Sequence, residues 1–203
     1  MFVAQLWRYP VKSMAGEPLE EAEVRLDGLR GDRVVHVRDA RGVVTARYRP
    51  DLLSHKGRLG PDGEPLIDGS PWTSVDLPGL RLVRDDTTER FDILPLLVAT
   101  DGAIAAFGHD GRRLRPNVVI GGVDGLAERS WEGKRLRIGD VVIRLADLRE
   151  RCVMTTFDPD TQEQDVEVLR KIRREFGARL ALNASVEKEG VIRRGDSVEL
   201  DAS

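Results

Sequence analysis

The sequence predicts a mainly β protein with a few short helices, an α+β fold, and three observations support this class. Most of the chain consists of β-branched runs of four to six residues separated by Gly, Asp and Pro. Clear helical periodicity is confined to one segment of the second half. The 203 residues are 40% hydrophobic, so the chain can bury a core without disulfide or metal cross-links.

The first half of the chain is predicted to be rich in strands. Strands are expected at FVAQLW, EAEVRL, VVHVRD and VVTARY, with turns at LDGLRGD and ARG. Between Asp51 and Asp86 the sequence concentrates Gly, Pro, Asp and Ser, which indicates loops around short strands and a domain boundary. We therefore expect an N-terminal β-rich region over residues 1–85 and a second domain over residues 86–203.

The second half combines strands with two helices. Asp101 is expected to cap a short helix that ends at Gly108, and NVVIGG is expected to form a buried strand. The segment DVEVLRKIRREFG predicts an amphipathic helix, with Asp165 as its N-cap and Gly177 just beyond its end. The apolar face of this helix is formed by Val168, Leu169, Ile172 and Phe176.

Two segments share the pattern of an apolar residue, Gly-Asp and an alternating strand. They are LRIGDVVIRL, residues 136–145, and IRRGDSVEL, residues 192–200. Such a repeat is consistent with a closed or nearly closed β-barrel, in which no long strand edge is exposed. Two unrelated hairpins would produce the same pattern, so periodicity alone leaves both interpretations open.

Charge and hydropathy exclude several classes of partner. Thirty-two Lys and Arg residues against 35 Asp and Glu residues give a net charge of −3, and the two signs are interleaved. Nucleic-acid binding needs a surface of one sign, so we expect no nucleic-acid partner. We also expect no membrane association and a cytoplasmic location, since there is neither a run of roughly twenty apolar residues nor a secretory signal pattern.

The chain has a single cysteine, Cys152, expected at the start of a β-like run. One cysteine excludes an intramolecular disulfide, a Cys-rich zinc site and a Cys-ligated iron–sulfur cluster. It remains an inert core residue, a nucleophile or a thiolate ligand to an external group. Arg151 and Arg149 lie close in sequence and favour the thiolate form, which would suit a soft or high-valent metal.

Three other segments contain side chains that could donate hydrogen bonds to an anion. Lys12 and Ser13 follow a Pro-stiffened strand end, Arg47 ends the segment TAR, and Arg115 precedes Pro116, which is expected to hold it extended. Each cation could equally be a solvated surface charge, although Arg favours phosphate recognition. The three His residues show no zinc-ligand spacing, and nucleotide-binding and serine-hydrolase motifs are absent from the sequence.

Seven short motifs occur in an order that resembles the MOSC-domain family, especially its amidoxime-reducing branch. They are YPVKS, GLRGDR, VVTARYRPDL, LRPNVVI, AERSW, IGD and RCVMTTFDPDT, and the resemblance as a whole extends from Tyr9 to Leu200. The resemblance implies a MOSC-type β-barrel with a few short helices over residues 86–203. It also implies a MOSC N-terminal β-barrel region over residues 1–85.

The resemblance further implies a molybdenum cofactor, in which molybdenum is bound to a pterin, molybdopterin. By the family motifs, Cys152 binds molybdenum and is the catalytic position. The residues implied to contact the pterin and its phosphate, or to line its pocket, are Lys12, Ser13, Arg33, Arg47, Arg115 and Asn117. Arg149 departs from the family pattern, since many relatives have a second Cys there.

The activity implied by the resemblance is the reduction of small N-hydroxylated compounds, such as amidoximes and hydroxylamines. Without cluster-binding cysteines, the electrons are expected from a separate protein of the ferredoxin or flavin-reductase type. No pyridoxal-phosphate-binding domain is expected. One alternative is a sulfur carrier or cofactor-handling protein with a persulfide on Cys152. Another is a non-catalytic β-barrel binding module, in which the cations should not converge.

Overall fold

The computed structural model describes residues 1–87 and 90–201, and strands form most of its regular structure, as predicted. The strands are β1 (Phe2–Arg8), β2 (Glu17–Leu19), β3 (Glu21–Arg25), β4 (Gly28–Leu29), β5 (Val35–Asp39), β6 (Gly42–Val44), β7 (Gly57–Leu59), β8 (Pro65–Ile67), β9 (Ser70–Pro71), β10 (Arg81–Arg84), β11 (Leu96–Thr100), β12 (Val118–Gly121), β13 (Arg135–Ile138), β14 (Val141–Glu150), β15 (Arg179–Lys188), β16 (Gly190–Arg193) and β17 (Glu199–Asp201). The helices within the described residues are α1 (Asp101–Phe107) and α2 (Val166–Phe176). The mainly β class is therefore confirmed.

The strands form one large sheet and three small ones. The large sheet has eight strands in the order β17-β13-β14-β15-β11-β12-β1-β2. Its neighbours are antiparallel except β11 and β12, which are parallel and joined through α1. The small sheets have the orders β10-β5-β6, β16-β3-β4 and β7-β8-β9.

The strand ladder of the large sheet is open within the described residues, so the predicted barrel is not continuously closed. Its ends approach through a bridge between Phe2 and Ser197 and through the Gly195 amide, which donates to the Val3 carbonyl at 2.8 Å. The first Gly-Asp repeat forms the predicted hairpin of β13 and β14. The second does not form a hairpin, because β16 pairs with β3 whereas β17 pairs with β13.

Both predicted helices are present, with one change at a cap. The side chain of Thr100, and not that of Asp101, caps α1 by accepting a hydrogen bond from the Ala103 amide at 3.1 Å. The predicted Asp101 cap is wrong because this carboxylate instead accepts hydrogen bonds from the amides of Gly122 and Val123, at 2.7 and 3.0 Å. Helix α2 begins after its predicted N-cap, Asp165, and ends before Gly177.

The largest hydrophobic cluster covers the inner face of the eight-stranded sheet. It includes Leu6 of β1, Ile120 of β12, Ile143 of β14 and Leu182 of β15, none of which exposes more than 1% of its surface. Strands from both predicted regions contribute to this cluster, so packing fixes the start of the chain against the second half. This packing places the loop after β1 beside the start of β12 and the end of β14, where residues of all three segments line one cavity.

The division into residues 1–85 and 86–203 stays a prediction, and two sheets cross it. Strand β1 pairs with β12, and β3 pairs with β16. Neither helix within the described part of the chain has the length and apolar composition needed to cross a bilayer.

A candidate cofactor site around Cys152

All seven predicted site residues line one cavity of about 250 Å³. We call it the Cys152 cavity. The seven residues are Lys12, Ser13, Arg33, Arg47, Arg115, Asn117 and Cys152. They come from five separate segments of the chain, so tertiary packing brings them together. This convergence is the feature that a binding module with dispersed surface cations would lack.

Cys152 lies just beyond the end of β14, where the chain turns. It precedes a 3₁₀ turn, Val153–Thr156, and its carbonyl accepts hydrogen bonds from the amide and the hydroxyl of Thr155, at 3.1 and 2.8 Å. The expectation of a β-like run at Cys152 is therefore wrong, because these hydrogen bonds turn the backbone away from the sheet. The thiol is free and half-buried, with one side open to the cavity.

Three of the seven residues have left-handed backbones, at φ +72° for Ser13, +55° for Arg33 and +56° for Arg115. The prediction that Pro116 holds Arg115 extended is wrong. Arg115 ends the 3₁₀ turn Gly111–Leu114, and its amide donates to the Arg112 carbonyl at 3.0 Å. Such backbones are costly for residues with a Cβ and cluster at functional sites.

A buried carboxylate that sequence reasoning missed holds one wall of the cavity. Asp32 is fully buried, and it accepts hydrogen bonds from the Tyr9 amide at 2.7 Å and from the Asn117 side-chain amide at 3.2 Å. It also forms an ion pair with Arg33. One carboxylate therefore fixes three residues that adjoin the cavity. The only sequence signal was the Gly-Asp pair of GLRGDR.

Tyr9 supports two of the cavity's guanidinium groups. The guanidinium carbon of Arg115 lies 4.2 Å from the centroid of the Tyr9 ring, and that of Arg33 lies 5.0 Å from it. Burial raises the pKa of Tyr9 to about 12 and lowers the pKa of Arg115 to about 10. A poorly hydrated cation gains more from a bound anion than a solvated one does.

Asp92 bridges two cations at the cavity. Its carboxylate lies 2.7 Å from Lys12 Nζ and 3.3 Å from an Nη atom of Arg149. Both cations hold the pKa of Asp92 below its usual value despite the opposing effect of burial. Arg149 also donates to the side-chain oxygen of Asn183 at 3.3 Å. No local motif indicates Asp92, because it lies 80 residues from Lys12 in the sequence.

Two polar atoms at the cavity are buried without a hydrogen-bond partner. They are Thr45 Oγ1 and Arg151 Nε. Another nitrogen of Arg151 donates to the Leu114 carbonyl at 2.7 Å, and burial lowers the pKa of Arg151 to about 10. Unsatisfied buried polar atoms are uncommon in folded proteins, and a missing ligand is one recognised cause.

The cavity carries an excess of positive charge. Among the described residues, its basic side chains are Lys12, Arg33, Arg47, Arg113, Arg115, Arg149 and Arg151, and its acidic ones are Asp92 and Glu150. Arg113 is paired with Asp158 at 2.9 Å, whereas no carboxylate in residues 1–87 and 90–201 lies within 4 Å of the guanidinium groups of Arg47, Arg115 or Arg151. The arrangement fits a small, strongly anionic ligand held next to a thiol.

Fold and site together define a β-rich protein with one thiol in a cationic cavity, and comparison with known families agrees. The MOSC domain model matches residues 103–199, and the MOSC N-terminal beta barrel domain model matches residues 1–85. The chain belongs to the MOSC-domain family. The family resemblance read from the seven motifs is thereby confirmed.

Characterised relatives and solved structures are similar to the chain over most of its length. The human protein named mitochondrial amidoxime-reducing component 1 is 30% identical, over 84% of this chain and 72% of its own. Human mitochondrial amidoxime reducing component 2 is 27% identical, over 97% and 82%. The crystal structure of the YuaD protein from Bacillus subtilis superposes with a TM-score of 0.55 at 13% identity, covering 100% of this chain and 96% of that one, which supports the fold.

Proposed function

We propose that this protein is a molybdenum-cofactor-binding oxidoreductase that reduces small N-hydroxylated compounds, such as amidoximes, with electrons from a separate protein. The reaction converts an N–OH group into N–H and releases water, with two electrons and two protons consumed. When bound, the molybdenum cofactor supplies the redox chemistry, at a metal that can change its oxidation state. The similarity to proteins named amidoxime-reducing components supports this reaction class.

The observation that carries the proposal is the convergence of the seven motif-derived residues on one cavity. Cations that were solvated surface charges would have no reason to face the same thiol. Here Lys12, Arg33, Arg115 and Cys152 come from distant parts of the sequence and line a single cavity. A dianionic phosphate and a thiolate-bound metal need this combination of groups.

The side chains present fit the proposed cofactor by their chemistry. Cys152 offers one soft sulfur ligand, and within the described residues no group of three or more His, Cys, Asp or Glu competes with it as a metal site. The unpartnered Thr45 hydroxyl and the unpartnered Arg151 Nε offer unused donors at the cavity wall. These are the atoms that a bound polar ligand would satisfy.

Each residue then has a definable task. Cys152 Sγ would hold the metal, while Lys12, Arg33 and Arg115 would neutralise phosphate and other anionic groups of the cofactor. Asn117 is fully buried, and its amide nitrogen donates to the Trp7 carbonyl at 3.3 Å and to Asp32, so its task is to hold the wall. Arg151 adjoins Cys152 in the chain and lines the same cavity, so its unpartnered Nε would donate to the bound group.

The test is reductase activity of protein produced in a host that makes the cofactor. Benzamidoxime reduction is measured with an artificial electron donor for the native protein, for Cys152→Ala and for Arg144→Gln, a control on the outer part of β14 that pairs with Glu187. We expect activity in the native protein and the control and none in Cys152→Ala. Equal activity in all three would refute the proposal.

The sulfur-carrier alternative uses the same thiol, and mass spectrometry distinguishes it from the proposed reductase function. A persulfide on Cys152, without amidoxime reduction by the native protein, would favour that function. A protein that reduces amidoximes cannot be a sulfur carrier alone. Because the chain has one cysteine, any persulfide can be assigned without ambiguity.

A further inference from the structure

We infer that the Cys152 cavity selects N-hydroxylated substrates that also carry a carboxylate or a similar anionic group, with Arg149 as the selecting residue. This inference rests on the proposed function and adds the charge of the substrate. The charge of the cavity is unevenly distributed, because basic side chains outnumber acidic ones among its described residues.

Arg149 is distinct from the cations that the family motifs assign to the cofactor. Those motifs include Lys12, Arg33, Arg47 and Arg115, and not Arg149. Arg149 nevertheless lines the same cavity as Cys152 and precedes it by three residues in the chain. It therefore offers a cation near the thiol that the cofactor does not account for.

The guanidinium of Arg149 is held in place. It donates to the Asn183 side-chain oxygen at 3.3 Å, and Asn183 is itself 2% exposed and donates to Asp147 at 3.2 Å. A positioned cation loses little freedom when it binds a ligand, so more of its interaction contributes to affinity. Burial also lowers the pKa of Arg149, so its charge is poorly hydrated and open to a partner.

The charge of Arg149 is only partly neutralised by the protein. Its carboxylate partner is Asp92, at 3.3 Å, and Asp92 lies closer to Lys12, at 2.7 Å. One carboxylate shared by two cations leaves a net positive charge. Asp92 already pairs with Lys12 and Arg149, so it is a weak partner for a cationic substrate. Arg149 shares its carboxylate partner with Lys12, so its charge can bind the anionic group of a substrate.

The rest of the cavity wall suits the apolar body of such a substrate. Apolar side chains there include Val43, Phe91, Leu94, Leu97 and Met154. Val43 is 40% exposed, so apolar surface reaches the cavity mouth. An aromatic or aliphatic body against this wall, with an anionic group at Arg149, describes the expected ligand class.

The inference is tested with matched substrates that differ only in charge. They are para-carboxybenzamidoxime, para-methylbenzamidoxime and para-trimethylammonio-benzamidoxime, assayed with native protein, Arg149→Gln, Asp92→Asn and the control Arg144→Gln. Native protein should have the highest kcat/KM for the carboxylate. Arg149→Gln should lower the carboxylate-to-methyl ratio about tenfold, as expected for loss of one hydrogen bond to a charged group.

Asp92→Asn should change the ratio in the opposite direction, since it removes the carboxylate that competes for Arg149. Arg144→Gln should leave the ratio unchanged. Reduction of all three substrates at the same rate by native protein would overturn the inference and leave the proposed function standing. An unchanged ratio in Arg149→Gln would likewise overturn the role of Arg149.

A binding measurement separates the inference from the proposed function. The probes are para-carbamoylbenzoate and para-methylbenzamide, which cannot be reduced, titrated by calorimetry into native protein and Arg149→Gln. Tighter binding of the carboxylate to native protein, weakened about tenfold in Arg149→Gln, supports the inference even if no substrate is reduced. Equal affinities for both probes would contradict it.

Discussion

Replacement of Asp32 by Ala is expected to destabilise the protein far more than replacement of a surface aspartate. Asp32 is fully buried and accepts hydrogen bonds from the Tyr9 amide and the Asn117 side chain, besides its ion pair with Arg33. Leaving buried donors unsatisfied costs about 1–3 kcal/mol for each group. Arg33 stays 17% exposed, so water would hydrate its freed charge in part.

Two unsatisfied buried donors therefore predict a loss of about 3 kcal/mol in the free energy of unfolding. For a chain of this size, that loss corresponds to a fall in Tm of about 6–12 °C. Asp32→Asn keeps an acceptor for the Tyr9 amide but replaces the oxygen that accepts from Asn117 with an NH2 group. It should lose about half as much, because one of the two buried donors stays satisfied.

The assay is urea unfolding followed by circular dichroism, with Asp76→Ala, an exposed carboxylate, as the control. A change in midpoint without a change in slope would report stability alone. If Asp32→Ala and Asp76→Ala unfolded within about 0.5 kcal/mol of each other, the structural role of Asp32 would be refuted.

Three further predictions follow from the same contacts. Burial raises the pKa of Tyr9 to about 12 from 10.0, so one of the two tyrosines should ionise late in an absorbance titration. The folded state keeps the Tyr9 proton to a higher pH than the unfolded state does, so native protein should lose more stability than Tyr9→Phe as the pH rises from 10 towards 12. Equal losses of stability in the two proteins would contradict the burial of the phenol. Phe107→Ala should cost about 3–5 kcal/mol, since this fully buried ring packs against α2, whereas Leu26→Ala, 61% exposed, should be nearly neutral. Gly102→Ala should cost about 1–3 kcal/mol in thermal or urea unfolding, because a Cβ there would lie 2.3 Å from the Val123 carbonyl oxygen, and a neutral effect would contradict this packing.

Local sequence patterns predicted the elements whose cause is local. The apolar spacing of α2 and its caps at Asp165 and Gly177 are contained within one segment. The hairpin of β13 and β14 depends on the turn at Gly139, which has a φ of +56°. In such elements the deciding contacts join near neighbours, so the pattern of the chain is sufficient to indicate them.

The features that sequence reasoning missed depend on contacts between distant residues. The left-handed backbone of Arg115 accompanies its stacking on Tyr9, more than 100 residues earlier. The open ladder of the large sheet depends on how residues 195–198 meet β1. Neither arrangement leaves a local pattern.

The candidate site was predictable by family resemblance and only in part by chemistry. Motif order indicated the seven residues that line the cavity, although each motif alone was ambiguous. The carboxylates that organise the cavity, Asp32 and Asp92, were not indicated, because a buried or bridging carboxylate looks like any other Asp in a charged sequence. Their roles emerge only when their partners are known.

The most direct test of the central claim is the molybdenum and pterin content of purified protein from a cofactor-producing host. Native protein and Cys152→Ala would be compared, with Arg144→Gln as the matched control. We expect molybdenum and pterin in the native protein and the control, and molybdenum lost from Cys152→Ala, because no second thiol can replace the ligand. Equal, near-zero molybdenum in native protein and Cys152→Ala would contradict the claim that this thiol holds the cofactor's metal.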